Sequence, residues 1–251
     1  SDIIVNFINI NLMNKININI NDVRKKFKDS FLSTGWSKIM NPIIDSEEFE
    51  IAVYKLKSYV ENDQRFTPKL SQIFNAFVYC PYEDLKVIFI GQDPYPQLGV
   101  ADGISFSCSN NDKPQPSLRY IFKELERQYA AFRTNDLLYN PLDLKRWSNQ
   151  GVLMLNTAFT VEIGKIGSHY DVWKPITKMI LDSINEDKKD IAVALLGKKA
   201  EEWHLKLNSQ KIFKAPHPAS AAYKGGVWNS GDIFLKINEH LRAQGIAPII
   251  W

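Results

Sequence analysis

Cysteine is scarce in this chain, with only Cys80 and Cys108 among 251 residues. Two thiols are too few for a disulfide scaffold, and they lack the spacing of a metal site. A reducing compartment is the simpler setting. Charge of one sign is lacking too: 31 Lys and Arg against 28 Asp and Glu leave a net charge of +3. That mildly basic balance permits a polyanionic partner without demanding one. No apolar run approaches the roughly 20 residues that span a bilayer. Nor does a basic region followed by an apolar core and a small-residue cleavage site open the chain, so no membrane association and no secretory leader are expected. The four histidines, His169, His204, His217 and His240, show no His-Glu-x-x-His spacing. Gly-x-Ser-x-Gly and glycine-rich phosphate loops are missing, which argues against an activated serine and against a dinucleotide site.

What is present centres on residues 85–96. Leu85-Lys86-Val87-Ile88-Phe89-Ile90 is almost unbroken apolar sequence after the turn-like Pro81-Tyr82-Glu83-Asp84. It reads as a buried parallel strand. Gly91-Gln92-Asp93-Pro94-Tyr95-Pro96 follows as a proline-pinned loop with one carboxylate. Strands of open α/β sheets deliver functional groups at their C-terminal ends, and Asp93 sits at one.

The remainder alternates. Residues 1–21 are rich in Asn and Ile and form a candidate loosely packed segment; residues 22–251 read as a single domain. Asp22 is a candidate cap for a helix carrying Val23, Phe27 and Phe31, and Asn41-Pro42 is expected to break the chain. Ser46 opens a helix to about Val60, and Leu70 to Phe77 suggests a short one. Residues 102–107 are expected to be extended, and Pro114-Gln115-Pro116-Ser117 to turn the chain, with Ser117 capping the next helix. Gly151–Leu155, Asp190–Leu196 and Lys211–Lys214 read as further strands, with helices over Val172–Ile184, Ala200–Leu207 and Ser230–Arg242. Four strands alternating with helices predict an α/β layered fold with a four-stranded, mostly parallel sheet flanked by helices. Asp93, Asn156 and His217 then share one sheet edge, offering a carboxylate, an amide and an imidazole.

This combination resembles the first family of uracil-DNA glycosylases over roughly Pro81 to Arg242. The resemblance rests on Gly91-Gln92-Asp93-Pro94-Tyr95, Gly103-Ile104-Ser105-Phe106-Ser107, Pro114-Gln115-Pro116-Ser117, Leu153-Met154-Leu155-Asn156-Thr157, Ser168-His169 with Trp173, and His217-Pro218, in that order. It implies hydrolysis of the glycosidic bond of uracil in DNA, with the base flipped out of the helix, free uracil released and an abasic site left, without lyase activity. Asp93 would position the attacking water and His217 would donate to uracil O2. Asn156 would read O4 and N3–H, Phe106 would stack on the base, Tyr95 would exclude the thymine methyl, and Gln92 would contact O2. Ser117 would grip a phosphate. The resemblance implies no metal and no organic cofactor. It implies single- and double-stranded uracil DNA as partners, a monomer, and a cytoplasmic or DNA-associated place in the cell. A proteinaceous DNA mimic is the inhibitor expected of such an enzyme.

Departures from the family pattern concern DNA handling. Lys198 follows Gly197 where the family has serine, so a lysine would meet the phosphate as a point charge. Pro96 stands where the family commonly has histidine. After His217-Pro218, the sequence Ala219-Ser220-Ala221-Ala222-Tyr223 replaces the family's Ser-Pro-Leu-Ser, placing Ala221 at the wedge position beside Ser220. A methyl group cannot fill a vacated stack, and Tyr223 is the nearby candidate to do so. Single-stranded substrate is therefore expected to be favoured. The competing readings are a DNA-binding replication accessory factor on the same fold with weak or no catalysis, a glycosylase of altered base choice, and a metal-dependent hydrolase.

Overall fold

Val87-Ile88-Phe89-Ile90-Gly91 is buried at every position, so both faces of this strand need a covering layer. The computed structural model describes residues 17–130 and 141–251 and supplies both layers. The helices before the sheet are α1 (Ile20–Ser30), α2 (Ser37–Ile44), α3 (Glu47–Glu61) and the short α4 (Asn75–Val78). The sheet comprises β2 (Val87–Gly91), β3 (Val152–Asn156), β5 (Ala192–Leu196) and β6 (Lys211–Ala215), in the order β3-β2-β5-β6 with all pairs parallel. Between and after these strands lie α5 (Pro116–Gln128), α6 (Lys145–Ser148), α7 (Tyr170–Asp187), α8 (Lys198–Glu201) and α9 (Ile233–Ala243). A two-residue antiparallel pair, β1 (Phe66–Thr67) with β4 (Val161–Glu162), stands apart.

The period-two alternation of strand side chains divides the core in two. Ile88, Ile90, Leu153, Leu155, Val193 and Leu195 join the layer of α1, α2, α3 and α7. Val87, Phe89, Val152, Met154, Ala192 and Ala194 join the layer of α5, α6 and α9. The first layer is aromatic at its centre: Phe74 meets Phe27, Phe159 and Trp173 edge-on at 5.1, 5.2 and 6.4 Å, an arrangement the ring quadrupole favours.

Local expectations held for α3, where the Ser46 hydroxyl accepts from the Phe49 N–H at 3.2 Å. Others are corrected. Asn41-Pro42 does not break the chain, because α2 runs through it to Ile44. Pro42 and Lys38, the residue whose carbonyl loses a donor, are both exposed, while Ile39, Met40, Ile43 and Ile44 are buried and hold the helix in place. Asn19, not Asp22, caps α1 by accepting from the Asn21 N–H; Asp22 lies in the first turn, where its charge suits the helix dipole. Ser117 is not a cap either. Gln115 holds that position without a side-chain bond, and Pro116 opens α5 in the place where its missing N–H costs nothing. The expected boundary at residue 21 falls inside α1, with Ile18 and Ile20 already packed on the core; residues 1–16 lie outside the described residues.

Residues 102–107 form a tight loop rather than an extended segment. Asp102, 3% exposed, accepts from the Ile104 and Ser109 N–H groups and from the Ser107 hydroxyl, at 3.1, 3.1 and 2.6 Å. Gly103 has φ +88°, and a Cβ there would stand 1.8 Å from the Gln72 carbonyl oxygen. Gly103→Ala is expected to cost about 3 kcal/mol of stability, measured by chemical denaturation.

Candidate active site

Parallel pairing places Gly91 of β2 directly beside Asn156 of β3, so the loop after one strand faces the last side chain of the next. The same edge receives the chain leaving β6, which turns at Pro216-His217-Pro218. These segments enclose a cavity of about 290 Å³ lined by Gln92, Asp93, Tyr95, Phe106, Ser117, Asn156 and His217, together with Pro94, Pro96, Ile104 and Ile166. Its size is at the small end of ligand pockets, which run roughly 300–1,000 Å³. Seven residues spread over 126 positions, all expected at the site from sequence, thus meet at one place.

Asp93 is hydrogen-bonded through one carboxylate oxygen and not through the other, among the described residues. Its Oδ2 accepts from the Gly167 N–H at 2.7 Å and from Gln92 Nε2 at 3.3 Å. Its Oδ1 is buried with no partner among the described residues. Burial raises its pKa above the usual carboxylate value, and the Gly167 and Gln92 bonds oppose that rise. The loop itself is tied down from β3's side: the Gln92 carbonyl accepts from the Ala158 N–H at 3.0 Å and the Thr157 hydroxyl at 3.3 Å.

His217 is fixed in one tautomer. Its Nδ1 accepts from the Ala219 N–H at 3.1 Å, so the ring proton of the neutral form resides on Nε2. Burial lowers its pKa from the ordinary imidazole value. The ring therefore stays neutral at neutral pH and carries an N–H donor. Gly197 makes room for it: a Cβ there would meet the His217 Cβ at 2.9 Å, and its φ is +92°.

Phe106 has φ +66°, an uncommon backbone for a bulky residue. It lies 5.8 Å from the His217 ring, tilted by 45°. The Tyr95 hydroxyl donates to the Phe106 carbonyl at 3.0 Å, tying the two rings of the cavity to each other, and burial holds the Tyr95 phenol well above its ordinary pKa. Ser117 lies in the first turn of α5, where free N–H groups favour an anion.

The family question is settled by comparison with known proteins. The model of the uracil DNA glycosylase superfamily matches residues 77–242. The chain belongs to that superfamily. The uracil-DNA glycosylase of Dichelobacter nodosus is 38% identical over 224 residues, covering 88% of this chain and 95% of that protein. That of Campylobacter jejuni is 34% identical, covering 93% and 94%. Among solved structures, mimivirus uracil-DNA glycosylase superposes with TM-score 0.79 at 25% identity, covering 99% of this chain and 98% of that one. The glycosylase fold is thus the layered α/β arrangement described above. The protein from Nitratifractor salsuginis, at 18% identity and TM-score 0.65, agrees on the fold.

Four residues proposed for DNA contact from the glycosylase pattern do not line the cavity. Lys198 is exposed at the start of α8, and Ser220 is half-buried. Ala221 is corrected: it is 0% exposed and cannot stand at a wedge tip. Its carbonyl accepts from the Lys224 and Gly226 N–H groups at 3.0 and 2.9 Å, which turns its methyl into the core layer of α5 and α9. Tyr223, two residues on, is 92% exposed. The sequence pattern also missed Gly167, Gly197, Asp102 and Ile166. Gly167 acts through its backbone, and Asp102 through the loop behind Phe106, so neither advertises itself by side-chain type. The positive φ angles of Gly167 and Gly197 make glycine the one readable sign of such positions. Because the Ala221 site is filled, Ala221→Leu is expected to lower stability by about 1–3 kcal/mol in thermal melts, and not to improve handling of duplex DNA.

Proposed function

We propose that this chain is a monomeric, monofunctional uracil-DNA glycosylase of the first family, which flips uracil out of DNA, hydrolyses its glycosidic bond and leaves an abasic site. The observation that carries the reading is the meeting of three groups in one small cavity: a half-buried carboxylate with one oxygen unpaired among the described residues, a neutral histidine with its proton on Nε2, and an asparagine amide at the end of β3. The superfamily match and the relatives of D. nodosus and C. jejuni agree with it.

On this reading, Asp93 Oδ1 holds the water that attacks the sugar C1′, and its negative charge stabilises the cationic sugar as the bond to N1 breaks. Oδ2 stays engaged by Gly167, so the carboxylate keeps its direction. The departing base carries negative charge on O2, and neutral His217 donates to it through Nε2–H. A donor that remains neutral does not need to transfer its proton, so its contribution is electrostatic. Asn156 donates to O4 and accepts from N3–H, a pattern that cytosine reverses; a buried mismatch of that kind is costly. Phe106 stacks on the base, Gln92 contributes to O2, and Tyr95 occupies the space of a thymine methyl. Ser117, Lys198 and Ser220 meet phosphates, a salt-dependent and sequence-independent contribution. The reading gives no role to a metal or cofactor. A DNA-mimicking protein inhibitor would have to engage this same phosphate-binding rim, Tyr223 included.

The test is uracil release from matched single- and double-stranded oligonucleotides in the presence of a chelator. Wild type is expected to release uracil from both; Asp93→Asn is expected to lose at least about 100-fold in kcat. DNA binding with no release by wild type would instead favour the accessory-factor reading. The pH profile follows from the two shifts. Asp93 must be ionised and its pKa is raised above 3.8; His217 must be neutral and its pKa is lowered below 6.5. Both protonate as pH falls, so activity is expected to be lost on the acid side, with no loss on the alkaline side arising from either group.

Exposed Tyr223 takes the wedge role that buried Ala221 cannot. Tyr223→Ala is expected to lower kcat/KM on duplex DNA by about 10-fold, the order of one lost stacking contact, and to leave single-stranded activity within about 2-fold. Equal losses on both substrates would remove the wedge assignment.

A further inference from the structure

Ser105 is 1% exposed, and its hydroxyl has no hydrogen-bond partner among the described residues. Buried hydroxyls are normally paired, because leaving one unpaired forfeits its interaction with water. Its position is not accidental. The Ser105 N–H donates to the Met154 carbonyl at 3.0 Å, pinning its backbone to β3 two residues before Asn156. A Cβ built on Gly91 would stand 2.6 Å from Ser105 Oγ, 3.0 Å from Asn156 Oδ1 and 3.5 Å from the Phe106 ring. The serine hydroxyl and the asparagine carbonyl oxygen therefore flank the same small space over the Gly91 α-carbon. Only glycine at 91 leaves that space open.

We propose that Ser105 is a positioning residue for Asn156: with a base in the cavity, its hydroxyl donates to Asn156 Oδ1 and sets the orientation of the carboxamide. The inference rests on the reading of Asn156 as the group that recognises the uracil edge. Its chemistry follows from the donor inventory. A serine O–H buried without another acceptor is satisfied only when Oδ1 faces it. With the amide flipped, Nδ2 would face Oγ; the hydroxyl could then accept but would still lack an acceptor for its own proton. The orientation with Oδ1 toward Ser105 leaves a second Oδ1 lone pair for the N3–H of uracil and turns Nδ2–H toward O4. Donation to Oδ1 also polarises the amide and strengthens Nδ2–H as a donor. Cytosine, which needs the opposite orientation, is disfavoured by the same bond. Ser105 touches no reacting atom in this scheme and acts through Asn156 alone.

A structural serine and a positioning serine differ in the sign of one measurement. Ser105→Ala removes a buried unpaired hydroxyl, so its melting temperature is expected to equal or exceed that of wild type. Its kcat/KM for uracil release from single-stranded DNA is expected to fall by about 10-fold, the order of one hydrogen bond acting through Asn156. The preference for free uracil over free cytosine as a competitive inhibitor is expected to shrink by a similar factor. Ser105→Cys, with a weaker donor, is expected to fall between the two. Asn156→Ala in the same assays reports on the underlying reading: it should abolish most uracil release and erase the preference between the bases. If Asn156→Ala is severely impaired while Ser105→Ala matches wild type in rate and base preference, the positioning role is wrong and the functional reading stands. If Asn156→Ala is itself as active and as selective as wild type, both fall together. A Ser105→Ala protein that loses stability along with activity would mark Ser105 as a packing residue and overturn the proposal.

Discussion

The parallel register of a sheet whose inner strands are buried on both faces governs everything else in this molecule. Backbone pairing of β2 with β3 and β5 is cooperative, and each strand is anchored by two apolar layers. A slip of one residue would exchange the side chains of the two cores, for example Ile88 and Ile90 against Val87 and Phe89. With the register locked, the ends of β2, β3 and β6 can vary little in relative height. Asp93, Asn156 and His217 inherit that accuracy from the sheet rather than from contacts with each other.

Around this frame the cavity is organised by backbone groups as much as by side chains. The Gly167 N–H restrains one oxygen of Asp93, and the other has no partner among the described residues. The Ala219 N–H decides which nitrogen of His217 carries the proton. Burial acts on both groups in opposite directions, lifting the carboxylate and lowering the imidazole, because in each case the charged form loses water. The same desolvation that makes these groups costly to bury strengthens their electrostatic interaction with any charge that enters the cavity.

The rim obeys a different rule. On the proposed reading it meets a polyanion and needs less accurate geometry. Pro96 lines the cavity, Lys198 is exposed outside it, and the loop after His217 turns Ala221 inward while Tyr223 projects into solvent. The loop shows how a substitution that looks like a loss in sequence can be a rearrangement in space. Two backbone bonds to the Ala221 carbonyl assign its methyl to the core.

Much of this was legible in the sequence for physical reasons. The continuous apolar runs of β2, β3 and β5 marked strands covered on both faces, and the polar residues at or just beyond the ends of β2, β3 and β6 marked one shared edge. Where the reading failed, a local preference was outweighed by tertiary contact. Four buried side chains carry α2 through Pro42, and Asp102 folds residues 102–107 into a loop that a Gly-Ile-Ser-Phe run does not announce. The type of each group in the cavity, a carboxylate, an imidazole, an amide and two aromatic rings, was set by the sequence alone. Which oxygen of Asp93 is free, where the His217 proton lies, why Ser105 is left unpaired behind Asn156, and which of Ala221 and Tyr223 reaches solvent were decided only by the tertiary structure. Those properties depend on neighbours far along the chain and on the exclusion of water, and no local stretch of residues encodes either.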